Sequence, residues 1–328
     1  DQIGGRARRL NRDGFTFDIG PTWYWMPDVF EHFFADFGKS PSDYYELEKL
    51  NPAYRVYFGK NDFIDIPDHP EAIKKVFERE EAGSGKILNQ FLEKAASNYK
   101  IAINKLVYKP GVSPLELVTK DTILRLPLFF KSISQQIRRQ FKNKKLQQIM
   151  EFPVLFLGAK PTNTPAFYNF MNFADFGLGT WHPKKGMYVV IEAMVELAKS
   201  LGVEILTNQN VEKIETAYGS AVNIVVNGKR RAVETLLSGA DYAHTESLLD
   251  INSRSYSSKS WEKKIFAPSS LLFYVGFDKK VENVEHHTLF FDTDFEQHAR
   301  TIYDEPSWPS DPMFYASFAS KSDDFVAP

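Results

Sequence analysis

The sequence predicts a mixed fold of helices and strands, α/β or α+β, in which one domain is made of discontinuous pieces. The prediction rests on a length of 328 residues, a hydrophobic fraction of 43% and strand-like stretches interspersed with helix-like ones. A chain of this length corresponds to about two domains. With 43% hydrophobic and 25% charged residues, the composition is that of a globular protein, and the chain is long enough to bury a sizeable core.

Hydrophobic periodicity places the elements along the chain. Apolar residues that alternate after turn signals predict strands, and apolar residues three or four positions apart predict helices. The first half has a predicted hairpin over residues 6–20, helices over 27–38, 70–106 and 122–150, and strands over 54–58 and 63–66. Residues 158–186 are predicted to be loop with short elements, followed by a helix over 187–201 and strands over 203–206, 211–216, 221–226, 231–237, 271–277 and 288–291.

The charge balance and the missing residue types exclude several functions. The 40 basic and 42 acidic residues give a net charge of -2, so no overall basic field favours a nucleic-acid partner. The chain has no cysteine, which excludes disulfides, a thiolate nucleophile and zinc–thiolate sites. His286 and His287 have no third ligand at suitable spacing, so no metal site is predicted. No apolar run reaches about 18 to 20 residues, so no transmembrane helix is predicted.

A glycine pair near the start of the chain is the first candidate for ligand binding. Gly4 and Gly5 precede Arg6. Paired glycines let a backbone approach a diphosphate closely, and a guanidinium can bind phosphate through two hydrogen bonds. A structural turn before a strand is the alternative interpretation of the triplet taken alone.

The motifs that follow this triplet indicate a known family. In order they are GGRA at 4–7, GFTFDIGPT at 14–22, EFPVLFLG at 151–158, PAFY at 165–168, GTWHP at 179–183, GM at 186–187, VEKI at 211–214, SGAD at 238–241 and SSLL at 269–272. Together they resemble the bacterial-type phytoene desaturases, the carotenoid-forming branch of the flavin amine-oxidase superfamily. The resemblance covers nearly the whole chain.

The resemblance implies a discontinuous, Rossmann-like FAD-binding domain and a substrate domain with a mixed sheet and covering helices. The FAD-binding segments are expected at residues 1–50 and 186–245, and the substrate-domain segments at 51–185 and 246–328. The family's upstream βαβ unit with its G-x-G-x-x-G loop, and its C-terminal glycine-rich motif, are absent. We therefore expect an internal fragment that holds part of the FAD site.

Ten residues are predicted to lie at the FAD by this resemblance. Val211 matches the position whose backbone holds the adenine, although an ordinary strand residue fits equally well. The SGAD segment matches the point where the chain returns to the cofactor, although a simple turn after a strand is the alternative. The predicted cofactor residues are Gly4, Gly5, Arg6, Gly20, Pro21, Thr22, Val211, Gly239, Ala240 and Asp241.

Aromatic residues make up 15% of the chain and suit either a core or a pocket for a large apolar ligand. With the family resemblance, they indicate a tunnel for a C40 polyene, lined by Trp25, Phe152, Phe156, Phe167, Tyr168 and Trp181. Glu151 precedes an apolar run, where desolvation raises a carboxyl pKa and suits the group to proton handling. A helix-end carboxylate in solvent is the alternative for Glu151.

Residues 123–145 combine an apolar face with seven basic residues and no acidic one. Phe129, Ile133, Ile137 and Phe141 repeat every four positions. Such a pattern is typical of a helix lying in a membrane surface, and a surface helix packed on its own core is the alternative. The predicted membrane contacts are Phe129, Phe130, Ile133, Arg138 and Arg139.

The resemblance therefore predicts an FAD-dependent desaturase of phytoene or a related carotenoid precursor, in which hydride passes from a substrate C–H bond to the flavin. The expected location is the cytoplasmic membrane surface, and the expected electron acceptor is a quinone or oxygen. The alternatives are another polyene oxidoreductase, such as a 3,4-desaturase or a ketolase-like oxidase, and a fragment that binds apolar ligands or lipid without turnover.

Overall fold

The computed structural model describes residues 2–328, which divide into two compact units. The larger unit comprises residues 4–197 and 268–328, and the smaller comprises residues 198–267 with the first residues of the chain. The predicted FAD-binding and substrate-domain segments remain a prediction, because the boundaries of the two compact units fall at other residues.

The elements are numbered in chain order across both units. The strands are β1 (Arg8–Arg12), β2 (Phe15–Ile19), β3 (Leu47–Lys49), β4 (Tyr54–Gly59), β5 (Asp62–Ile66), β6 (Trp181–Pro183), β7 (Val211–Ala217), β8 (Ser220–Val226), β9 (Lys229–Ala232), β10 (His287–Phe290) and β11 (Phe314–Ser317). The helices are α1 (Pro27–Ala35), α2 (Pro70–Glu80), α3 (Ser84–Ile101), α4 (Lys120–Ile123), α5 (Leu126–Phe129), α6 (Ile133–Gln140), α7 (Lys144–Glu151), α8 (Phe170–Asn172), α9 (Tyr188–Ser200), α10 (Tyr242–Ser247), α11 (Ser258–Glu262) and α12 (Phe295–Tyr303). A π-helical turn, Ala102–Leu106, extends α3. The mixed α/β class is confirmed.

The larger unit is organised around a four-stranded mixed sheet in the order β11-β10-β4-β5. β10 lies parallel to β4, and the other two pairs are antiparallel. The core of the unit includes Tyr54 and Val56 of β4, together with apolar residues of α2, α3, α6 and α7. The predicted strands at 54–58, 63–66 and 288–291 are confirmed within one or two residues.

The N-terminal hairpin is also confirmed, because its turn has the chemistry that a tight turn needs. Asp13 and Gly14 both have positive φ, of 51° and 83°, as the favoured two-residue hairpin turns require. At the other end of β2, the Asp18 carboxylate accepts hydrogen bonds from the backbone N–H groups of Met187 and Tyr188. The hairpin is thereby joined to the start of α9.

The predicted helix over 122–150 is wrong as a continuous element, because capping residues divide it. Thr119, Ser132 and Asn143 each accept a hydrogen bond from a backbone N–H of the helix that follows. Such side chains start new helices because they satisfy the unpaired N–H groups of the first turn. The stretch is therefore built as α4, α5, α6 and α7.

The four-residue apolar repeat of this stretch packs on the core of the larger unit. Ile133, Ile137 and Phe141 are 0% exposed, so the predicted membrane contact of Ile133 is wrong. Periodicity identifies an apolar face, and here protein covers that face.

The smaller unit contains the antiparallel sheet β7-β8-β9. Asn227 and Gly228 form the tight turn between β8 and β9, both with positive φ. The predicted strand over 231–237 is shorter, ending at Ala232, and residues 203–206 form no strand. In the larger unit, residues 271–277 are likewise irregular rather than a strand.

We expect Ile137→Ala to lower the free energy of unfolding by about 2 to 5 kcal/mol, because it removes buried methyl groups and leaves a cavity. Phe130→Ser, at an exposed site seven residues away, is the matched control and should change it by less than about 0.5 kcal/mol. Urea denaturation measures both values. A small effect at Ile137 with a large effect at Phe130 would contradict the assignment of the two faces.

Candidate functional site

The glycine turn at the start of the larger unit places an open backbone next to a guanidinium. Gly4 and Gly5 have φ values of 110° and 59°. A Cβ on Gly4 would lie 2.1 Å from the Ala7 carbonyl oxygen, whereas no atom lies within 4 Å of a Cβ built on Gly5. Only glycine fits the first position, and the second is open to an approaching group. Arg6, the next residue, is exposed.

Gly20 returns the chain to this turn. Its φ is 139°, and a Cβ there would lie 2.0 Å from the carbonyl oxygen of Arg6. The structure therefore brings together four predicted cofactor residues: Gly4, Gly5, Arg6 and Gly20. Pro21 and Thr22 continue from Gly20 toward the sheet.

A hydrogen-bonded chain joins this loop to the sheet. The Thr22 hydroxyl lies 2.9 Å from the Tyr315 hydroxyl, which lies 2.7 Å from Nδ1 of His287. Thr22 is in the loop, Tyr315 in β11 and His287 in β10. These contacts fix the loop against two neighbouring strands.

Trp23, which the sequence analysis did not identify, lies at the centre of an aromatic cluster. Its ring stacks on His287 at a centroid distance of 3.9 Å and an interplanar angle of 9°. It also contacts five other aromatic rings, with centroids 5.3 to 5.6 Å away: Trp25, Tyr54, Phe152, Phe156 and Tyr315. We call these seven side chains the Trp23 cluster. The sequence could have indicated Trp23, because this residue directly follows the predicted cofactor residues Gly20, Pro21 and Thr22.

The tunnel residues predicted from sequence fall into two groups. Trp25, Phe152 and Phe156 belong to the Trp23 cluster, and Phe167 and Tyr168 lie in the same larger core. Phe167 stacks on Phe129 with ring centroids 4.9 Å apart.

Trp181 does not belong with the other predicted tunnel residues. It packs against a second apolar cluster that contains Tyr24, Phe34 and Tyr45. β6, which carries Trp181, pairs with β3 in a separate two-stranded sheet. The structure therefore places Trp181 in a different apolar cluster from the other five predicted tunnel residues, and its contact with a substrate remains a prediction.

Two further buried histidines, His182 and His286, lie beside His287 of the Trp23 cluster. Ring centroids of His182 and His286 are 4.5 Å apart, and those of His286 and His287 are 4.4 Å apart. Burial lowers the pKa of both His286 and His287 well below the ordinary value, so both are neutral near pH 7. Nε2 of His182 pairs with Asp323. Among residues 2–328 no group of three His, Asp or Glu side chains could hold a metal ion.

Glu151 is buried and ion-paired. Its carboxylate accepts hydrogen bonds from the Ser134 hydroxyl at 2.6 Å and from Nε of Arg138 at 3.0 Å. Arg138 also donates to Glu296. This arrangement favours a structural ion pair, and a role of Glu151 in proton handling remains a prediction. The predicted membrane contact of Arg138 is disfavoured, because two carboxylates occupy its guanidinium.

A second buried acid lies under the Trp23 cluster. The Tyr54 hydroxyl donates to Oδ2 of Asp175 at 2.8 Å. Burial raises the pKa of Asp175 to about 8, while the hydrogen bond from Tyr54 opposes that rise. Asp175 is therefore mostly protonated at pH 7. It lies in the π-helical turn Phe173–Gly177, and such turns are frequent at functional sites.

Two stretches of the larger unit are rich in exposed apolar residues: residues 271–277 and the longer stretch 107–130, which we call the exposed apolar segment. Val112, Leu124 and Phe130 are 84%, 79% and 81% exposed, and Phe129 is 37% exposed. This segment lies before α6, the helix that carries the buried repeat. Within residues 2–328, no helix has both the length and the apolar character to cross a bilayer.

The remaining predicted cofactor residues belong to the smaller unit. Val211 begins β7 and pairs with Val226 of β8. Gly239, Ala240 and Asp241 are exposed, and the Asp241 carboxylate caps α10 by accepting from the N–H groups of Ala243 and His244. Their contact with a cofactor remains a prediction.

Tyr315→Phe should lower the free energy of unfolding by about 1 to 3 kcal/mol, because it leaves Nδ1 of buried His287 without its partner. Tyr57→Phe is the matched control: it removes a tyrosine hydroxyl from β4 of the same sheet, whose acceptor is the less buried carbonyl of Asn283. Its cost should be below about 1 kcal/mol. Equal costs in chemical denaturation would show that the Thr22–Tyr315–His287 chain does not hold the loop.

Comparison with known proteins identifies the family. A model of flavin containing amine oxidoreductases matches residues 1–316. The chain is 41% identical to a carotenoid 3,4-desaturase of Haloarcula japonica, over all of this chain and 67% of that protein. It is 30% identical to a zeta-carotene-forming phytoene desaturase of Myxococcus xanthus, over 99% of this chain and 63% of that protein. The chain thus spans about two thirds of the length of these relatives.

A crystal structure of a Pyrococcus furiosus protein has a similar fold, with a TM-score of 0.55 and 14% identity. The alignment covers 99% of this chain and 68% of that structure. The family model and the relatives confirm the predicted resemblance, and with it the predicted flavin cofactor and oxidoreductase class. The chain belongs to the flavin containing amine oxidoreductases.

Proposed function

We propose that the protein is an FAD-dependent desaturase that introduces a double bond into a carotenoid or carotenoid precursor. The observation that carries the proposal is 41% identity along the whole chain to a carotenoid 3,4-desaturase. Identity to phytoene and diapophytoene desaturases is lower, at 28% to 30%. This difference favours the 3,4-desaturase alternative over phytoene itself as substrate.

The residues at the glycine turn suit the diphosphate of FAD. Gly5 offers an open backbone, and the exposed Arg6 offers a cation beside it. Positive charge and close backbone approach are what a diphosphate requires. A side chain at Gly4 or Gly20 would clash with a backbone carbonyl oxygen, so the turn needs glycine at both positions to keep this shape.

The Trp23 cluster suits an apolar substrate next to that cofactor. FAD, when bound, accepts a hydride from the substrate. The protein's part is to hold the polyene in a dry, apolar environment, and the cluster supplies aromatic surface. Phe156 is 46% exposed, so the cluster reaches the surface of the larger unit there. Thr22 and Trp23 are consecutive, which would place cofactor and substrate side by side.

The exposed apolar segment suits contact with a membrane, from which a polyene would enter. An apolar patch of this kind bordered by cations is typical of binding to an anionic bilayer surface. Lys131 and Arg139 lie just beyond the segment and form no ion pair among the residues that the structure describes. Phe129 and Phe130 keep their predicted role in this proposal. We also propose that the protein attaches to the cytoplasmic surface of the membrane and that a quinone or oxygen reoxidises the flavin.

Arg6→Ala in the full-length protein should weaken FAD binding about 10- to 100-fold, because a charge-assisted hydrogen bond contributes about 1.5 to 3 kcal/mol. Arg12→Ala, at the exposed hairpin turn, is the matched control and should bind FAD normally. Flavin fluorescence titration measures the affinity, and pigment analysis in a carotenoid-accumulating host measures the activity. If the unaltered protein binds polyene but holds no flavin and forms no product, the protein is a binder and the proposed function is wrong.

Leu124→Ser combined with Phe130→Ser should release the full-length protein from anionic liposomes without lowering its melting temperature. Both side chains are already exposed, so folding buries neither of them. Leu237→Ser combined with Ile251→Ser removes two exposed apolar side chains from the smaller unit, and this control should sediment normally. Unchanged sedimentation of the first variant would exclude this segment as the anchor.

A further inference from the structure

A stripe of buried polar side chains runs beneath the Trp23 cluster. Asn169, Asn172 and Asp175 are spaced three residues apart and are 1%, 0% and 2% exposed. Each has one buried polar atom with no hydrogen-bond partner among the described residues: Nδ2 of Asn169, Oδ1 of Asn172 and Oδ1 of Asp175. We call these three residues the polar stripe.

One end of the polar stripe is linked to a partly exposed arginine. Nδ2 of Asn98, on α3, donates to Oδ1 of Asn169 at 2.9 Å. Nε of Arg125 donates to Oδ1 of Asn98 at 2.7 Å. Arg125 is only partly buried and lies within the exposed apolar segment. A series of hydrogen-bonding groups therefore leads from this arginine to the first residue of the stripe.

The other end of the polar stripe is linked to the Trp23 cluster. Asp175 accepts from the Tyr54 hydroxyl. The Tyr54 ring lies 5.5 Å from Trp23 and 5.7 Å from Phe152 between centroids. Tyr54 thus connects the apolar cluster to the polar stripe.

An unpaired buried polar atom costs about 1 to 3 kcal/mol, so three in succession need a physical explanation. Ordered water is the usual partner of such atoms, and a row of polar groups is what a row of water molecules requires. A purely structural network would satisfy these atoms with protein groups. The remaining side-chain bond of the stripe runs from Asn172 to the Met150 carbonyl.

We propose that the polar stripe holds ordered water and carries away the proton released by desaturation, with Tyr54 and Asp175 as its first two groups. The inference rests on the proposed function. Desaturation breaks two C–H bonds and forms one C=C bond. One hydrogen leaves with both electrons as hydride to the flavin, and the other leaves as a proton that needs an acceptor in an apolar site.

The transfer balances at each group. The Tyr54 oxygen takes the substrate proton while its own proton passes to Oδ2 of Asp175. Asp175 then releases the proton carried on Oδ1 to water of the stripe, which passes it to solvent. The acid keeps the other proton on Oδ2, and rotation of its carboxyl group restores the starting arrangement, with Tyr54 again donating to an unprotonated oxygen. Both groups act as a relay, and neither is consumed.

The charges around Asp175 suit this role. Tyr54 of β4 contacts it directly, and burial raises the pKa of Tyr54 as well. Burial and the Tyr54 hydrogen bond are the two causes of the shifted Asp175 pKa. The helices α2 and α3 pack against the turn that carries Asp175. Tyr99 of α3 is bonded to Asp28, and Lys74 and Glu78 of α2 bond to Glu71 and to the backbone N–H groups of Gly83 and Gly85, respectively. Arg125 reaches the stripe only through Asn98. Among residues 2–328 no ion pair is formed by Asp175, and burial raises its pKa to about 8.

Asp175→Asn in the full-length protein is the test, because it keeps the shape and removes the titrating group. Flavin reduction by a polyene in a single turnover should slow at least 100-fold, with flavin content and polyene affinity unchanged. Asp28→Asn is the matched control, since Asp28 also accepts from a tyrosine, Tyr99, but lies off the stripe. It should reduce flavin normally. If Asp175→Asn fails to fold, Tyr54→Phe interrupts the same relay and should show the same loss.

Infrared spectroscopy of the flavin-free protein gives a second readout. The difference between the spectra of the unaltered protein and Asp175→Asn should contain a protonated carboxyl band at pH 7, which falls to about half its intensity near pH 8. A spectrum at pH 7 unchanged by Asp175→Asn, or normal flavin reduction in that variant, would overturn the relay. No flavin reduction by any polyene in the unaltered protein would instead overturn the proposed function, and with it the relay.

Discussion

The packing of Trp23 is the contact on which the rest of the site depends. Its ring stacks on His287 of β10 and contacts Tyr54 of β4, so it fixes the segment after Gly20 onto two paired strands. Aromatic pairs contribute about 0.5 to 1.5 kcal/mol each beyond the burial of their area. The Thr22–Tyr315–His287 hydrogen bonds hold the same segment, so Thr22 and Trp23 together join the glycine turn to the aromatic cluster. The proposed neighbourhood of cofactor and substrate rests on these contacts.

The parts of the fold that were predictable are those with local causes. The Asp13–Gly14 turn has the backbone conformation that its sequence requires, and the hairpin follows from it. The start of α9 needs a partner for its first N–H groups, and its helical spacing was visible even though Asp18, the residue that caps it, is distant in sequence. Gly4 and Gly5 likewise carried their own signal, because only glycine adopts such angles without strain.

The parts that were not predictable depend on which surfaces meet. The Ile133 repeat was identified as an apolar face, but its period does not reveal whether lipid or protein covers it. Trp181 is a large aromatic residue in an aromatic stretch, as expected of a tunnel lining. It lies in another cluster because its strand, β6, pairs with β3. The polar stripe had a readable signal: polar residues three apart within a highly aromatic stretch. Its partners, Asn98 and Tyr54, come from distant elements that only the folded chain brings near.

The central claim is that the polyene lies against the Trp23 cluster beside the glycine turn. The most direct measurement is a crystal structure of the full-length protein with FAD and a bound carotenoid. The account predicts polyene carbons within about 4 Å of the Trp23 or Phe156 ring, with the flavin diphosphate at Gly5 and Arg6. A polyene bound elsewhere, with the Trp23 cluster closed and the diphosphate away from the turn, would contradict it.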